Sequence, residues 1–179
     1  CIYEKQLLGS AGSLNNVKNK LENEFLVCNG DTFFDINLLD LHHSFKKKYL
    51  GIVSLANIKD NSFRYSNIKL HKEKILSFNY KKNKNSLINS GIYIFRKKIF
   101  NFFKNNRSLE KEVFVSLIKK NKLQGKLYKE NHNLFIDIGV KKDLFRSYFF
   151  FKKTQKKRAI FFDRDGIINI DKGYTYKIK

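Results

Sequence analysis

The sequence predicts an α/β protein, in which buried strands alternate along the chain with helices. The apolar run Phe25-Leu26-Val27-Cys28 is typical of a strand buried on both faces, and it stops at Asn29-Gly30-Asp31, where Gly30 allows a sharp turn. A second apolar run, Leu134-Phe135-Ile136, also ends in an acid, Asp137. Because open α/β sheets bind ligands beyond the carboxyl ends of their strands, both acids are candidate ligand-binding residues.

The N-terminal half alternates helices and strands and then forms a hairpin. Small residues at 8–13 predict a loop, and Asp35 is placed to cap the helix that follows it. Alternating apolar and polar residues across 63–80, interrupted near His71-Lys72-Glu73, predict the hairpin. The other predicted elements are helices at 14–22 and 35–45 and strands at 25–29 and 51–57.

The C-terminal half contains an amphipathic helix, since Val113, Leu117 and Ile118 share one helical face. The charged segment 152–157 predicts a linker between one domain at 1–151 and the start of a second at 158–179. The predicted elements are strands at 87–95, 126–128, 134–137 and 158–162 and helices at 97–103, 109–120 and 143–151.

The formal net charge of +21 raises the possibility of nucleic-acid binding, because a basic surface gains from releasing counterions. Compositional bias is the other explanation. Lys, Asn, Ile and Phe are abundant while Pro and Trp are absent, as AT-rich coding would give. Lysines are scattered and outnumber arginines, whereas base readout favours Arg. We therefore expect no specific nucleic-acid partner.

The predicted location is the cytoplasm. The sequence has no apolar run of about 18 residues that would span a membrane. Residues 1–20 lack the apolar stretch of a signal peptide. Two cysteines form no disulfide framework, and Cys28 is predicted to be a small core residue. The oligomeric state stays open.

Four short motifs occur in an order that resembles the sugar-phosphate nucleotidyltransferase family, and most of all its heptose-1-phosphate guanylyltransferase branch. They are Leu8-Gly9-Ser10-Ala11-Gly12, Asn29-Gly30-Asp31, Asn89-Ser90-Gly91-Ile92-Tyr93 and Phe135-Ile136-Asp137-Ile138-Gly139. The resemblance implies a Rossmann-like mixed or parallel sheet that lacks the family's first strand and its Gly-rich triphosphate loop. The chain looks like a piece of a longer protein. Without that loop we expect it to have little transferase activity alone.

The resemblance also implies the substrates and the roles of individual residues. The reaction joins a nucleoside triphosphate, expected to be GTP, to a sugar 1-phosphate, expected to be D-glycero-D-manno-heptose 1-phosphate. Mg²⁺ suits it, because this ion takes one or two carboxylates together with phosphate oxygens. Gly91 inside a strand indicates either close approach of a ligand or of backbone, or else a simple bulge. The implied roles are nucleotide binding by Gly9, Ser10 and Gly12, sugar binding by Asn89 and Gly91, Mg²⁺ binding by Asp31 and Asp137, and a catalytic contact of Lys81 with the sugar phosphate.

The segment Asp163-Arg164-Asp165-Gly166 follows a strand and resembles the opening of haloacid dehalogenase-type phosphatases, such as those acting on heptose 1,7-bisphosphate or histidinol phosphate. The resemblance implies that Asp163 is the nucleophile, that Asp165 is the acid and base, and that both bind Mg²⁺. Two alternatives stay open: a phosphatase as the main identity, or a catalytically inactive basic binding module. A short distance between the Asp31 and Asp137 carboxylates, about 4–6 Å, would favour the transferase.

Overall fold

The computed structural model describes residue 4 and residues 6–58, 67–79, 86–103, 108–128, 135–139 and 141–154. The predicted catalytic residues Lys81, Asp163 and Asp165 lie outside the described residues, as does the predicted strand at 158–162. The chain divides into two units, Cys1–Leu144 and Phe145–Lys179. The described part of the second unit is the continuation of a helix that begins at Lys141.

The α/β fold class is confirmed by a mixed six-stranded sheet and a smaller two-stranded one. The large sheet has the order β1-β6-β3-β7-β5-β4, in which β3 and β7 are parallel and the other pairs are antiparallel. The small sheet pairs β2 with β8. The strands are β1 Glu24–Cys28, β2 Thr32–Phe34, β3 Gly51–Ile58, β4 Asn67–His71, β5 Lys74–Asn79, β6 Ser86–Arg96, β7 Leu123–Tyr128 and β8 Phe135–Asp137.

The described helices are short, apart from the first and the last. A π-helical turn, Leu109–Val113, leads directly into α3, and Lys18–Lys20 and Lys97–Phe102 form 3₁₀ turns. No helix among the described residues is both long enough and apolar enough to cross a membrane. The α-helices are α1 Gly9–Val17, α2 Leu38–His43, α3 Phe114–Lys119 and α4 Lys141–Thr154.

The large sheet lies between two hydrophobic cores, because successive residues of a strand point to opposite faces. On β3, Val53 and Leu55 point into one core while Ile52 and Ala56 point into the other. The first core contains α1, the π-helical turn and α3. The second contains Leu41 of α2 together with Phe34 of β2. The small sheet thereby packs against β6, since Phe34 shares this core with Ile88, Ile92 and Ile94.

The prediction that β1 is buried on both faces is wrong. Within the described residues β1 is an edge strand that pairs only with β6, and its burial alternates. Phe25 faces the core, whereas Leu26 is 45% exposed and Cys28 is exposed, so Cys28 is not a core residue. Four consecutive apolar residues do not distinguish a central strand from an edge strand of this kind.

Three helix boundaries also differ from prediction. Residues 9–13, expected to be a loop, belong to α1, because the apolar spacing of Leu8, Ala11 and Leu14 continues through the small residues. Helix α2 is capped by Asn37, whose side chain accepts a hydrogen bond from the Asp40 N–H at 3.1 Å, and not by Asp35. Helix α4 runs to Thr154 and so enters the predicted linker.

A bulge in β6 breaks the regular pairing with β3. Val53 pairs with Tyr93 and Leu55 pairs with Asn89, so that Ser90, Gly91 and Ile92 all face Ser54. Two fully buried hydroxyl groups satisfy the disturbed backbone. The Ser54 hydroxyl donates to the Ile92 carbonyl at 2.9 Å, and the Ser90 hydroxyl donates to the Ser54 carbonyl at 3.0 Å. The bulge therefore has its own hydrogen-bonding partners.

We predict that Phe114→Ala lowers the free energy of unfolding by about 3–5 kcal/mol. Phe114 is fully buried, and its ring contacts those of Phe78, Tyr93 and Phe95. The neighbouring Val115 is 37% exposed, so Val115→Ala is the control and should change stability by about 0.5 kcal/mol or less. Urea denaturation measures both, and equal losses would contradict this account of the core.

Candidate active site

The two candidate metal-binding acids lie on neighbouring segments of the small sheet. Ile138 N–H donates to the Asp31 carbonyl at 2.8 Å, and Thr32 pairs directly with Asp137. The Cβ atoms of the paired residues Thr32 and Asp137 therefore lie about 4.5–5.5 Å apart on the same face. The Thr32 hydroxyl also donates to Asp31 Oδ1 at 3.3 Å. The fold thus brings together the backbone segments of two acids that are 106 residues apart in the sequence (137 − 31).

These two carboxylates fit a hard divalent cation whose remaining ligands are phosphate oxygens. Asp31 is exposed and Asp137 is half-buried, and the Asp137 carboxylate accepts a hydrogen bond from Gly139 N–H at 2.9 Å. No cluster of three or more metal-ligating side chains occurs in the part of the chain that the structure describes. Two carboxylates by themselves leave further ligand positions of such a cation to phosphate oxygens or water.

Gly91 allows the segment that carries Asp31 to pack against β6. Asn29 N–H donates to the Gly91 carbonyl at 2.8 Å. Gly91 has a φ of +79°, and a Cβ atom built on it would lie 2.9 Å from Asn29 Nδ2. Of the possibilities raised by the sequence, the bulge is observed, and the group that approaches Gly91 closely is the side chain of Asn29. Gly30 behaves differently, because its φ is not positive and a Cβ there would meet nothing within 4 Å.

A hydrogen-bonded cluster surrounds Asn89 on the face of β6 that carries α3. Asn89 Nδ2 donates to the Tyr93 hydroxyl at 2.6 Å and to a carboxylate oxygen of Glu110. Asn89 Oδ1 accepts from Gly91 N–H at 3.0 Å. The Asn29 side chain also hydrogen-bonds the Tyr93 phenol. Tyr93 thus connects the predicted sugar-binding residue Asn89 to the segment that carries Asp31.

Burial raises the pKa of the Tyr93 phenol far above its usual value, and the negative charge of Glu110 acts in the same direction. Asp31 contributes a smaller effect of the same sign, while the Asn89 and Asn29 amides partly oppose it. The phenol therefore stays protonated across the physiological pH range. The negative charges of Glu110 and Asp31 thus act on the same buried hydroxyl group.

The predicted nucleotide-binding residues lie in the first turns of α1. Gly9 has a φ of +74°, which a residue with a side chain rarely adopts, and a Cβ on Gly12 would lie 2.8 Å from Leu8 Cβ. The Ser10 hydroxyl accepts a hydrogen bond from Leu109 N–H at 3.0 Å. Ser10 thereby joins α1 to the start of the π-helical turn, a contact that its position in a loop-like motif did not predict.

Sequence reasoning missed Glu110 and assigned no role to Tyr93. The pattern Ser108-Leu109-Glu110 indicates a helix start with acids in its first turn, which is common in any soluble helix. Nothing in that pattern indicates that Glu110 reaches across to β6. Because successive residues of a strand face opposite sides, a strand at 87–95 puts Tyr93 on the same face as Phe95, but it does not reveal that the Tyr93 hydroxyl lies beside Asn89.

A family model described as nucleotidyl transferase matches residues 1–153. The chain belongs to the nucleotidyl transferase family. Its curated relatives include a D-glycero-alpha-D-manno-heptose 1-phosphate guanylyltransferase of Campylobacter jejuni, which is 36% identical over 146 residues, covering 79% of this chain and 62% of that protein.

Solved structures share the fold of this chain. HddC from Yersinia pseudotuberculosis has a TM-score of 0.69 and 26% identity, covering 84% of this chain and 65% of that one. Its complex with GMP-PN has a TM-score of 0.67 and 27% identity over the same shares of the two chains. The chain therefore spans less than two thirds of the length of these relatives.

We predict that Gly91→Ala destabilises this protein by about 1–3 kcal/mol from backbone strain alone. Overlap of the new methyl group with Asn29 adds to that loss and displaces the segment that carries Asp31. Gly30→Ala is the matched control, since it meets open space at a φ that other residues adopt. Thermal unfolding measures both variants, and a Gly91→Ala protein as stable as Gly30→Ala would show that the approach of Asn29 is not tight.

Proposed function

We propose that the protein transfers a nucleotidyl group from a nucleoside triphosphate, GTP, to a sugar 1-phosphate, D-glycero-D-manno-heptose 1-phosphate, in a reaction that requires Mg²⁺. The observation that carries this proposal is the pairing of Thr32 with Asp137, which brings Asp31 and Asp137 to one edge of the small sheet. The choice of guanine and heptose rests on the similarity to the guanylyltransferase of Campylobacter jejuni and to the GMP-PN complex.

Asp31 and Asp137 would hold the Mg²⁺ ion, which when bound offsets negative charge on the phosphate groups of the nucleotide. Asp137 is oriented by its hydrogen bond from Gly139 N–H, and Asp31 by its hydrogen bond from Thr32. The base would be contacted by the backbone of Gly9, Ser10 and Gly12, because these residues have no large side chain to keep the base away. Apart from holding the cation, the protein would catalyse the reaction by positioning its two anionic substrates, as is usual for phosphoryl transfer.

Asn89 and Gly91 would border the sugar, and Lys81 would contact its phosphate. Support for Asn89 comes from its place beside Gly91 in the β6 bulge, next to the segment that carries Asp31. We infer further that a phosphatase segment begins at residue 158, with Asp163 as nucleophile and Asp165 as acid and base. A phosphatase that makes a sugar 1-phosphate would supply the substrate of the transferase. We place the whole protein in the cytoplasm.

A basic module without catalytic activity is the other candidate. It is disfavoured by the arrangement of the acids, since a binding surface for polyanions has no use for carboxylates on two neighbouring segments of the small sheet. Some lysines of the described residues are also engaged with acids. Lys46 and Lys48 bind Glu73, and Lys126 binds Asp40. Those three are not aligned as a free basic face.

We predict that Asp31→Asn and Asp137→Asn each lower the Mg²⁺-dependent turnover of GTP and heptose 1-phosphate by about 100-fold or more in the complete protein that carries this sequence. Each substitution removes a charge that would hold the cation while keeping the shape of the side chain. Pyrophosphate release measures the reaction, and the binding of Mn²⁺ measures loss of the cation independently of turnover.

The exposed Asp35 lies close by in sequence and supplies the matched control, so Asp35→Asn should keep turnover and cation binding. Residues 1–179 by themselves should release little pyrophosphate, because the expected triphosphate loop is not in this sequence. Wild-type turnover in either acid variant would contradict the proposal, and full turnover by residues 1–179 would contradict the need for that loop.

A further inference from the structure

We propose that Glu110 is a positioning residue, which holds the Asn89 amide so that Asn89 offers only a hydrogen-bond acceptor, Oδ1, to a hydroxyl group of the bound sugar. The inference rests on the proposed function, because it concerns how the same site recognises its sugar 1-phosphate. It adds a residue that belongs to none of the four motifs, and it states which polarity of hydrogen bond the ligand must supply.

The orientation of the Asn89 amide is fixed by two partners that cannot change roles. The Gly91 N–H group can only donate, so the Asn89 atom that lies 3.0 Å from it is Oδ1. The ionised carboxylate of Glu110 can only accept, so the Asn89 atom that faces it is Nδ2. If the amide were flipped, Nδ2 would face the Gly91 N–H donor and Oδ1 would face the Glu110 carboxylate, and both hydrogen bonds would be lost.

The amide nitrogen of Asn89 has no hydrogen left for a ligand. Its two hydrogens are used by the Tyr93 hydroxyl at 2.6 Å and by Glu110. Oδ1 has two lone pairs, of which Gly91 N–H uses one. The half-buried Asn89 side chain can therefore accept one further hydrogen bond and donate none. A sugar hydroxyl group that donates a hydrogen bond to Oδ1 satisfies this requirement.

The π-helical turn places Glu110 where it can reach β6. Val113 N–H donates to the Ser108 carbonyl at 3.3 Å, five residues back, which widens the turn. The cap is closed by other side chains, since Ser108 Oγ accepts from Lys111 N–H at 3.2 Å and Glu112 accepts from Ser108 N–H at 2.7 Å. Because Glu112 accepts the hydrogen bond from Ser108 N–H, the Glu110 carboxylate is available to accept one from Asn89.

The same turn connects the sugar side of the site to the nucleotide side. Leu109 N–H donates to Ser10 Oγ, and the next residue, Glu110, binds Asn89. The two contacts act on different substrates in the proposed reaction, since Ser10 belongs to the nucleotide-binding segment and Asn89 to the sugar-binding strand. Loss of Glu110 alone should therefore weaken sugar binding without an equal loss of nucleotide binding.

The test compares Glu110→Ala, Glu110→Gln and Glu112→Ala in the complete protein that carries this sequence. Calorimetry measures the binding of heptose 1-phosphate and, separately, of GTP with Mg²⁺. We expect Glu110→Ala to weaken heptose 1-phosphate binding by about tenfold or more and to leave GTP binding within about twofold. Glu110→Gln keeps an acceptor for Asn89 Nδ2 and should bind the sugar within about threefold of wild type.

Glu112→Ala is the matched control, because it removes an acid from the same turn and weakens the helix cap without touching Asn89. It should leave heptose 1-phosphate binding unchanged while lowering thermal stability. Deoxyfluoro analogues test the polarity, since fluorine cannot donate. For the wild-type protein, replacing the recognised hydroxyl group by fluorine should lower the affinity as much as replacing it by hydrogen. For Glu110→Ala, the replacement by fluorine should lower the affinity only a little.

An NMR measurement tests the positioning without any ligand. The two Asn89 side-chain amide protons should be well separated in the wild-type protein, since each has its own acceptor, and should move together in Glu110→Ala. Unchanged sugar binding in Glu110→Ala, or an equal loss in Glu112→Ala, would overturn the inference and leave the proposed function intact. Failure of the wild-type protein to bind any sugar 1-phosphate would overturn the proposed function and, with it, the role of Glu110.

Discussion

The contact between Asn29 and Gly91 is the interaction on which the candidate site depends. It requires a bulge in β6, a residue with no side chain at a φ of +79°, and a hydrogen bond of 2.8 Å from Asn29 N–H to the Gly91 carbonyl. The segment that leaves β1 is thereby held against β6 and delivers Asp31 to the start of β2. Pairing of β2 with β8 then brings Asp137 to the same place.

The bulge is stable because its polar groups are satisfied inside the protein. The hydroxyls of Ser54 and Ser90 are fully buried and bond to backbone carbonyls that the interrupted pairing leaves available. Tyr93 and Phe95, which follow the bulge along β6, belong to a core of aromatic rings that includes Phe114. A rigid core thus supports an irregular strand, and the irregular strand carries the residues with polar chemistry.

The sequence predicted those features of the fold that depend on local patterns. Strand and helix alternation gave the fold class, and the two acids at the ends of apolar runs gave the metal-site hypothesis. The errors arose where tertiary pairing decides the outcome. The apolar run of β1 does not reveal that it is an edge strand within the described residues, so the exposure of Leu26 and Cys28 was missed. The small residues at 9–13 form part of α1 because Ala11 packs into the core.

Part of the candidate site could be proposed from the sequence, for a similar reason. Asp31, Asn89, Gly91 and Asp137 lie in short motifs that the sequence displays directly. Glu110 acts across a contact between a helix start and a strand 21 residues earlier in the chain, and no single-sequence pattern records such a pairing. Family membership supports nucleotidyl transfer, while the identity of the base and of the sugar is part of the proposal.

The most direct test of the central claim asks whether one cation lies beside both strands of the small sheet. Mn²⁺, a paramagnetic substitute with the same preference for oxygen ligands, broadens the NMR signals of nearby backbone amides. In a titration with Mn²⁺ and GTP, we expect the amides of Thr32 and of Ile138 and Gly139 to broaden together and early. Broadening at only one of the two strands, or at neither, would contradict a cation shared by Asp31 and Asp137.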